Sequence, residues 1–441
     1  MRLFSNTDLA LWRLALPMIF SNITVPLLGL VDTAVVGHLD HPVYLGGVAI
    51  GSMITSFLFM LLTVLRMSTT GLTAQAFGAQ DKAGLARALV QPLLLATAVG
   101  LIILLFSTSL IQLTLNIVQG DSAVLEQAKY FLEVRWLSAP AALANMVILG
   151  WLLGVQYVRA PVILLIVGNL LNIVLDLYFV IELGWGVKGA AWATAISEYA
   201  TLLLGLYLVF RVLRMKGIDF GFLKTAWRGN IRRLMALNRD ILLRSLLLQL
   251  CMASLTIYGA RLGSDIVAVN AVLMNLLSFT AYALDGFAYA VEAYSGQAFG
   301  AKSDKQLMRV WKACCKQAGI VALSFSAIYA FVGMDIVNAL TSLTVIRALA
   351  GDYLIWQVVL PLIGVWCYLL DGLFIGATRG HEMRNSMAIA ACGFGLTLLT
   401  VPVLGNHGLW LSLAVFLSLR GLALGWIWYR HRQKGTWFSQ A

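Results

Sequence analysis

Residues 90–115 read VQPLLLATAVGLIILLFSTSLIQLTL, a stretch without a single charged side chain. As an α-helix it is long enough to cross the hydrocarbon layer of a membrane, which takes about 20 apolar residues. Similar stretches recur along all 441 residues, and hydrophobic residues make up 60% of the chain. Charged residues make up only 12%, about half of the fraction found in soluble domains. The sequence therefore predicts an all-α, polytopic membrane protein.

Twelve such stretches are predicted to span the membrane. They cover residues 13–37, 46–70, 90–115, 125–150, 161–181, 189–212, 241–262, 267–293, 317–340, 353–377, 385–404 and 408–429. Six helices fall in each half of the chain. We expect an N-terminal lobe of residues 1–212, a basic cytoplasmic linker of residues 213–240, and a C-terminal lobe of residues 241–441.

The basic residues indicate how these spans are oriented. With both termini in the cytoplasm, 24 lysines and arginines fall in cytoplasmic segments and five on the opposite side. Cytoplasmic loops of membrane proteins carry such an excess of positive charge. Because topology accounts for the net charge of +11, nucleic acid is not an expected partner. We expect a multi-pass protein of the cell's inner (cytoplasmic) membrane.

The sequence also repeats itself. Gln75–Ala79 and Gln297–Ala301 both read QAFGA and lie 222 residues apart, almost half of the chain. The same spacing pairs further residues: Gly37 with Gly259, Ala49 with Ala271, Phe57 with Phe279, Leu85 with Leu307, Arg87 with Arg309, and Gly154 with Gly376. Because each half has an even number of helices, both halves enter the membrane from the same side. Two six-helix lobes related by a pseudo-two-fold axis along the membrane normal are predicted.

Carboxylates inside the apolar spans are the main candidates for function. A charged side chain at the bilayer centre costs roughly 2.5–3.5 kcal/mol on insertion scales, and such residues commonly mark ion or substrate pathways. Asp32 is the first candidate, because it lies in the outer part of helix 1 with no lysine or arginine in the neighbouring turns. Pro17 and Pro26 precede it in the same helix. Each removes a backbone donor and favours bending of helix 1.

Helix 5 carries a second polar cluster. Asn169, Asn172 and Asp176 lie at positions i, i+3 and i+7 and so share one helical face. This face should point into the first lobe, within reach of Asp32. Two carboxylates with amide oxygens suit Na⁺, whereas two neighbouring carboxylates equally favour binding of a proton. The residues leave H⁺ and Na⁺ open, and Asn169 either belongs to the pathway or only packs helices together.

The second half of the chain departs from the first. At the 222-residue spacing Asp32 corresponds to Ser254, and helix 11 has no carboxylate corresponding to those of helix 5. Asp285 and Glu292 lie seven residues apart on one face of helix 8, and Asp371 lies in helix 10. We expect these three carboxylates to be candidate residues of a substrate site or ion pathway.

Several motifs together resemble one family. They are Leu14–Pro17, Val31–Gly37, the two QAFGA copies, Asn169–Asp176, Gly189–Thr194 and Gly376–Gly380. This set is similar to the multidrug and toxic compound extrusion (MATE) family, and most similar to its DNA-damage-inducible branch. The resemblance implies twelve helices in two lobes and cation-coupled efflux of organic compounds by alternating access. It also implies a first-lobe cation site formed by Asp32, Asn172, Asp176 and Thr194.

The predicted function is export of organic, often cationic or amphipathic, compounds in exchange for H⁺, the ion that the branch resemblance favours. Na⁺-coupled export, with Na⁺ at Asp32, Asn172 and Asp176, is one alternative. A flippase for lipid-linked precursors is another, although a pyrophosphate would require a more basic cavity than Arg66 and Arg420 provide.

No enzymatic activity is predicted, since the chain contains no HExxH, GxSxG or P-loop motif. The missing P-loop also argues against direct use of ATP. Expected partners are small organic substrates and membrane lipid, with no cofactor besides the coupling ion. We expect the protein to be monomeric.

Overall fold

The computed structural model describes residues 6–439, and every regular element within them is helical. The side chains of five residues in the first helix lie outside this description: Pro26, Leu27, Gly29, Leu30 and Thr33. All statements below refer to the described residues.

Twelve long helices follow one another in residues 6–439. They are α1 (Asn6–Gly37), α2 (Pro42–Gly78), α3 (Lys82–Leu105), α4 (Ser122–Gly154), α5 (Arg159–Glu182), α6 (Val187–Met215), α7 (Ile231–Arg261), α8 (Ser264–Gly300), α9 (Asp304–Leu340), α10 (Thr344–Gly376), α11 (Gly380–Leu404) and α12 (Asn406–Lys434). The eleven helices after α1 are each long and apolar enough to cross a membrane. Each predicted span overlaps one of the twelve helices, which confirms the predicted fold class.

Helix packing has the same pattern in the two halves. In the first half, α4 packs against α2, α3 and α6, while α5 pairs with α6. In the second half, α10 packs against α8, α9 and α12, while α11 pairs with α12. Every helix in the second set lies six helices after its counterpart. The two halves therefore share one topology, as the sequence repeat predicts.

Backbone conformation also repeats at the spacing of 222 residues. Gln80 and Lys302 have φ angles of 52° and 53°, and both end the turn that precedes a long helix. Gln156 and Thr378 have φ angles of 61° and 55°. Because non-glycine residues seldom adopt positive φ, two matching pairs show that the repeat extends to the backbone of the turns.

Small residues bring the central helix of each half close to its neighbour. A Cβ atom on Gly154 of α4 would lie 2.6 Å from Cβ of Thr73 on α2. A Cβ atom on Gly376 of α10 would lie 2.5 Å from Oγ of Ser295 on α8. Glycine is therefore required at both positions for the helices to pack this closely, as is common between membrane helices.

Contacts divide the chain into two units. The first unit is Phe20–Leu234, and the second consists of Met1–Ile19 with Met235–Ala441. This grouping differs from the lobes predicted from the sequence, which keep all of α1 in the first lobe.

The start of α1 groups with the second unit because it packs against α8. The rings of Trp12 and Phe287 meet edge to face with centroids 5.2 Å apart. The hydroxyl of Tyr294 donates a hydrogen bond to the carbonyl of Ala10 at 3.2 Å. α1 is thus a continuous helix whose first part belongs to one unit and whose second part, with Asp32, belongs to the other.

Candidate cation site

The carboxyl groups of Asp32 on α1 and Asp176 on α5 lie within hydrogen-bonding reach of each other. Asp176 is fully buried, and Asp32 is half-buried. Asp176 is the last α-helical residue of α5 before the π-helical turn Leu177–Glu182. Such widened turns are frequent at functional sites because they change the direction of the side chains that follow.

This carboxylate pair is short of hydrogen-bond donors when both groups are ionised. Oδ1 of Asp32 and both Oδ atoms of Asp176 are buried and accept no hydrogen bond from the described residues. Buried polar atoms nearly always have partners, and adjacent carboxylates repel each other. One proton held between the two groups, or a bound cation, would give these oxygens a partner and reduce the repulsion between the carboxylates.

Amide and hydroxyl groups flank the pair. Asn172 lies one turn before Asp176 on α5 and is buried, and its Nδ2 donates to Oγ1 of Thr194 on α6 at 3.2 Å. The four residues predicted to form the site therefore cluster on α1, α5 and α6. No group of three or more His, Cys, Asp or Glu side chains suited to a metal ion occurs within the described part of the chain.

A second contact joins α1 to α5. Nδ2 of Asn169 donates to Oγ1 of Thr24 at 2.5 Å. Thr24 lies about two turns before Asp32 on α1, and Asn169 lies about two turns before Asp176 on α5. The Asn169 contact and the carboxylate pair thus connect the same two helices at two levels. Asn169 thus joins α1 to α5 by a hydrogen bond beside the candidate site.

The nearest positive charge is already engaged. Arg135 on α4 lies within electrostatic range of Asp32, but its guanidinium forms a two-pronged bond to Glu198 on α6, with N–O distances of 2.9 and 3.0 Å. Ser138 also donates to Glu198, at 2.5 Å. Sequence analysis assigned Glu198 no role, and the structure shows that it neutralises Arg135. Asp32 is therefore not in an ion pair with any arginine in the described part of the chain.

The second unit has a different carboxylate arrangement. Asp371 on α10 lies between Arg244 on α7 and Arg420 on α12, and all three side chains are buried. Nη2 of Arg244 donates to Oδ2 of Asp371 at 2.5 Å, and Nη2 of Arg420 donates to the same oxygen. Arg244 falls near the start of the span predicted for residues 241–262. It lies within α7, where Asp371 compensates its charge.

The other predicted pathway residues of the second unit lie on α8. Asp285 is half-buried and lies within electrostatic range of Tyr282 and Tyr368, whereas Glu292 is buried. Cys367 on α10 lies within electrostatic range of both Asp285 and Asp371. The participation of Asp285 and Glu292 in a substrate path stays a prediction.

The predicted bending residues both lie within α1. Pro17 is partly buried in the part of the helix that belongs to the second unit, close to the boundary after Ile19. The backbone at Pro26 is helical, but its side chain lies outside the described residues. Bending of α1 at these prolines stays a prediction.

Residues 17–178 and 241–403 match the MatE family, and these two segments follow the internal repeat. This chain belongs to the MATE family of transporters. It is 69% identical over 439 residues to the DNA damage-inducible protein F of Escherichia coli (strain K12), covering 100% of this chain and 96% of that protein. A probable multidrug resistance protein NorM of Acinetobacter baylyi is 24% identical over 436 residues, 96% of each chain.

Solved MATE structures have the same fold. A MATE crystal structure in the bent conformation superposes with a TM-score of 0.85 at 23% identity, covering 98% of this chain and 96% of the other. One in the straight conformation gives a TM-score of 0.86 at 22% identity, covering 98% and 97%. The protein is therefore a multi-pass membrane transporter of a multidrug efflux family that handles small substrates, and the resemblance found in the sequence is confirmed.

Proposed function

We propose that this MATE protein exports organic, often cationic or amphipathic, compounds in exchange for H⁺. The Asp32–Asp176 pair carries the coupling proton. The observation that supports this proposal is a pair of adjacent carboxyl groups with buried oxygens that lack donors and with no ion-pair partner among the described residues. Such a pair changes its charge readily when one proton arrives or leaves.

The proton and the substrate compete for the same negative charge. A proton arriving from outside joins the two carboxyl groups, lowers the charge of the site and weakens its hold on a cationic substrate. Loss of the proton to the cytoplasm restores the repulsion between Asp32 and Asp176. Because the pair and the Asn169–Thr24 bond both connect α1 to α5, this repulsion acts directly on the outer part of α1.

One proton supplies useful pumping energy. A charge that moves through about 100 mV of membrane potential is worth roughly 2.3 kcal/mol. At about 1.4 kcal/mol per factor of ten, this energy supports a concentration ratio of about fortyfold for an exported compound that carries no net charge. Exchange of one proton for a compound with one positive charge moves no net charge, so the pH difference alone drives export of such a compound. A single coupling site of this kind is therefore sufficient for efflux.

Na⁺ is the alternative coupling ion, and the flanking side chains are the reason to test it. The amide oxygen of Asn172 and the hydroxyl of Thr194 lie beside two carboxylates, and hard cations prefer oxygen ligands.

The further parts of the proposal are the inner membrane as location, cytoplasmic termini and a monomeric transporter with the lobes predicted above.

The coupling ion is tested with purified protein in liposomes loaded with a fluorescent organic cation. We expect an imposed pH gradient to drive movement of the dye at constant Na⁺, and an imposed Na⁺ gradient at constant pH to leave the rate at background. Protein-free liposomes under the same gradients serve as the control. Transport driven by the Na⁺ gradient alone would show that the coupling ion is Na⁺ and not H⁺. Transport driven by neither gradient would contradict ion-coupled export.

A further inference from the structure

A separate cavity lies in the second unit at the end of α8 and the start of α9. Its volume is about 410 Å³. The start of α1 forms one wall with Asn6, Thr7 and Ala10. The end of α8 and the start of α9 form the rest, which includes Tyr294, Lys305 and Arg309. In the proposed topology this end of the unit is cytoplasmic, so the cavity opens where lipid headgroups meet water.

Two basic side chains at the start of α9 line the cavity and have no partner among the described residues. Lys305 and Arg309 are exposed and form no ion pair or hydrogen bond with other described residues. The nearby carboxylates are already engaged, because Asp8 pairs with Lys316 at 3.7 Å and Asp304 pairs with Arg432. The cavity therefore has an excess of positive charge together with hydroxyl and amide groups.

The internal repeat shows how the corresponding place in the first unit is filled. In the first unit the chain itself covers the corresponding place: Nη2 of Arg233 donates to Gln75 at 2.6 Å, and Gln91 donates to the carbonyl of Gly229 at 2.5 Å. At the 222-residue spacing, Arg233 corresponds to Leu11. At this position of α1 the second unit thus has a leucine where the first unit has an arginine on α7.

We propose that this cavity binds a phosphate group, with Lys305 and Arg309 as its charged partners. Arginine and lysine with neighbouring hydroxyl and amide donors are the groups that recognise phosphate oxygens in proteins. Basic pockets between helices on the cytoplasmic side of membranes bind the headgroups of anionic lipids. The phosphate belongs either to an anionic phospholipid or to a soluble cytoplasmic compound. Since the cavity touches the first turns of α1, bound phosphate fastens that helix start to α8 and α9.

The test is the thermal stability of the purified full-length protein in a neutral detergent. Increasing amounts of dioctanoyl phosphatidylglycerol are compared with zwitterionic dioctanoyl phosphatidylcholine and with inorganic phosphate. A ligand that binds only the folded protein stabilises it by RT ln(1 + [L]/Kd), so the unfolding temperature rises with the logarithm of the ligand concentration above Kd. We expect phosphatidylglycerol to raise the unfolding temperature progressively as its concentration increases, and phosphatidylcholine at equal concentrations to raise it much less.

Two double variants separate this site from general charge attraction. Lys305→Ala/Arg309→Ala removes the cavity cations, and Lys312→Ala/Arg430→Ala removes one exposed lysine and one exposed arginine that do not line the cavity. At about 1 kcal/mol for each basic residue, loss of both cavity cations should weaken binding about thirtyfold. The control pair should bind like the wild type.

Each outcome decides the proposal. A phosphatidylglycerol effect that only the cavity variant loses supports a lipid headgroup, and an equal effect of inorganic phosphate that the same variant loses supports a soluble phosphate compound. No stabilisation of the wild type, or equal losses in both double variants, would overturn the site. The wild-type titration decides the matter even if one variant folds poorly.

Discussion

Asp32→Asn is expected to abolish proton-driven efflux while the protein still folds and inserts. Asparagine has nearly the same shape as aspartate but does not gain or lose a proton, and its amide donates a permanent hydrogen bond to Asp176. The variant therefore imitates the protonated pair at every pH. Dye transport in liposomes under an imposed pH gradient should fall to the rate of protein-free vesicles.

Two further variants test the other carboxyl group of the pair and provide a control. Asp176→Asn should behave like Asp32→Asn, since the proton belongs to the pair and not to one residue. Asp265→Asn, at an exposed position in the first turn of α8, should transport at the wild-type rate. Normal efflux by the Asp32 variant, with normal insertion, would remove this carboxyl group from the mechanism.

Asp371→Asn is expected to act on stability. The change would leave Arg244 and Arg420 facing each other, both buried, without the negative charge that they share. Removing one partner from a buried ion pair commonly costs about 3–5 kcal/mol. Unfolding of the purified protein in detergent, followed by loss of helical signal, measures this cost.

A triple variant distinguishes stability from transport. Arg244→Met/Asp371→Leu/Arg420→Met replaces the cluster with apolar side chains, and such replacements are often neutral or stabilising. We expect near-wild-type stability and retained proton-driven efflux. Efflux lost in a stably folded triple variant would instead make Asp371 part of the substrate or ion pathway. Asp265→Asn is again the matched control for the single change.

Much of the fold could be predicted from local sequence. Uninterrupted apolar runs reveal membrane helices directly, because lipid excludes backbone that is not hydrogen-bonded internally. The run at residues 90–115 is divided in the structure, since α3 ends at Leu105 and a separate helix covers Ser107–Val118. The QAFGA repeat identified the two halves, since packing positions such as Gly154 and Gly376 recur at one spacing. The polar stripe of α5 followed from helical periodicity alone.

The ion pairs between distant helices could not be predicted in this way. Arg135 and Glu198 are 63 residues apart, and Arg244 and Asp371 are 127 residues apart. Which carboxylate meets which arginine depends on how the helices pack. One signal was available: buried intramembrane charges are usually paired, so Arg420 inside a predicted span was itself a reason to look for an acidic partner.

The division of α1 between two units was also beyond the sequence. Nothing in the sequence at the start of α1 indicates that Trp12 packs against Phe287 of α8. The π-helical turn after Asp176 has no signature that periodicity reveals either. Both features depend on tertiary contacts.

The central claim is that substrate and one proton exclude each other at the Asp32–Asp176 pair. It is tested most directly by adding a cationic substrate to purified protein in weakly buffered detergent solution and measuring the protons released. The account predicts about one proton released for each substrate bound by the wild type and none by Asp32→Asn. Substrate binding without proton release, or equal release by the variant, would contradict it.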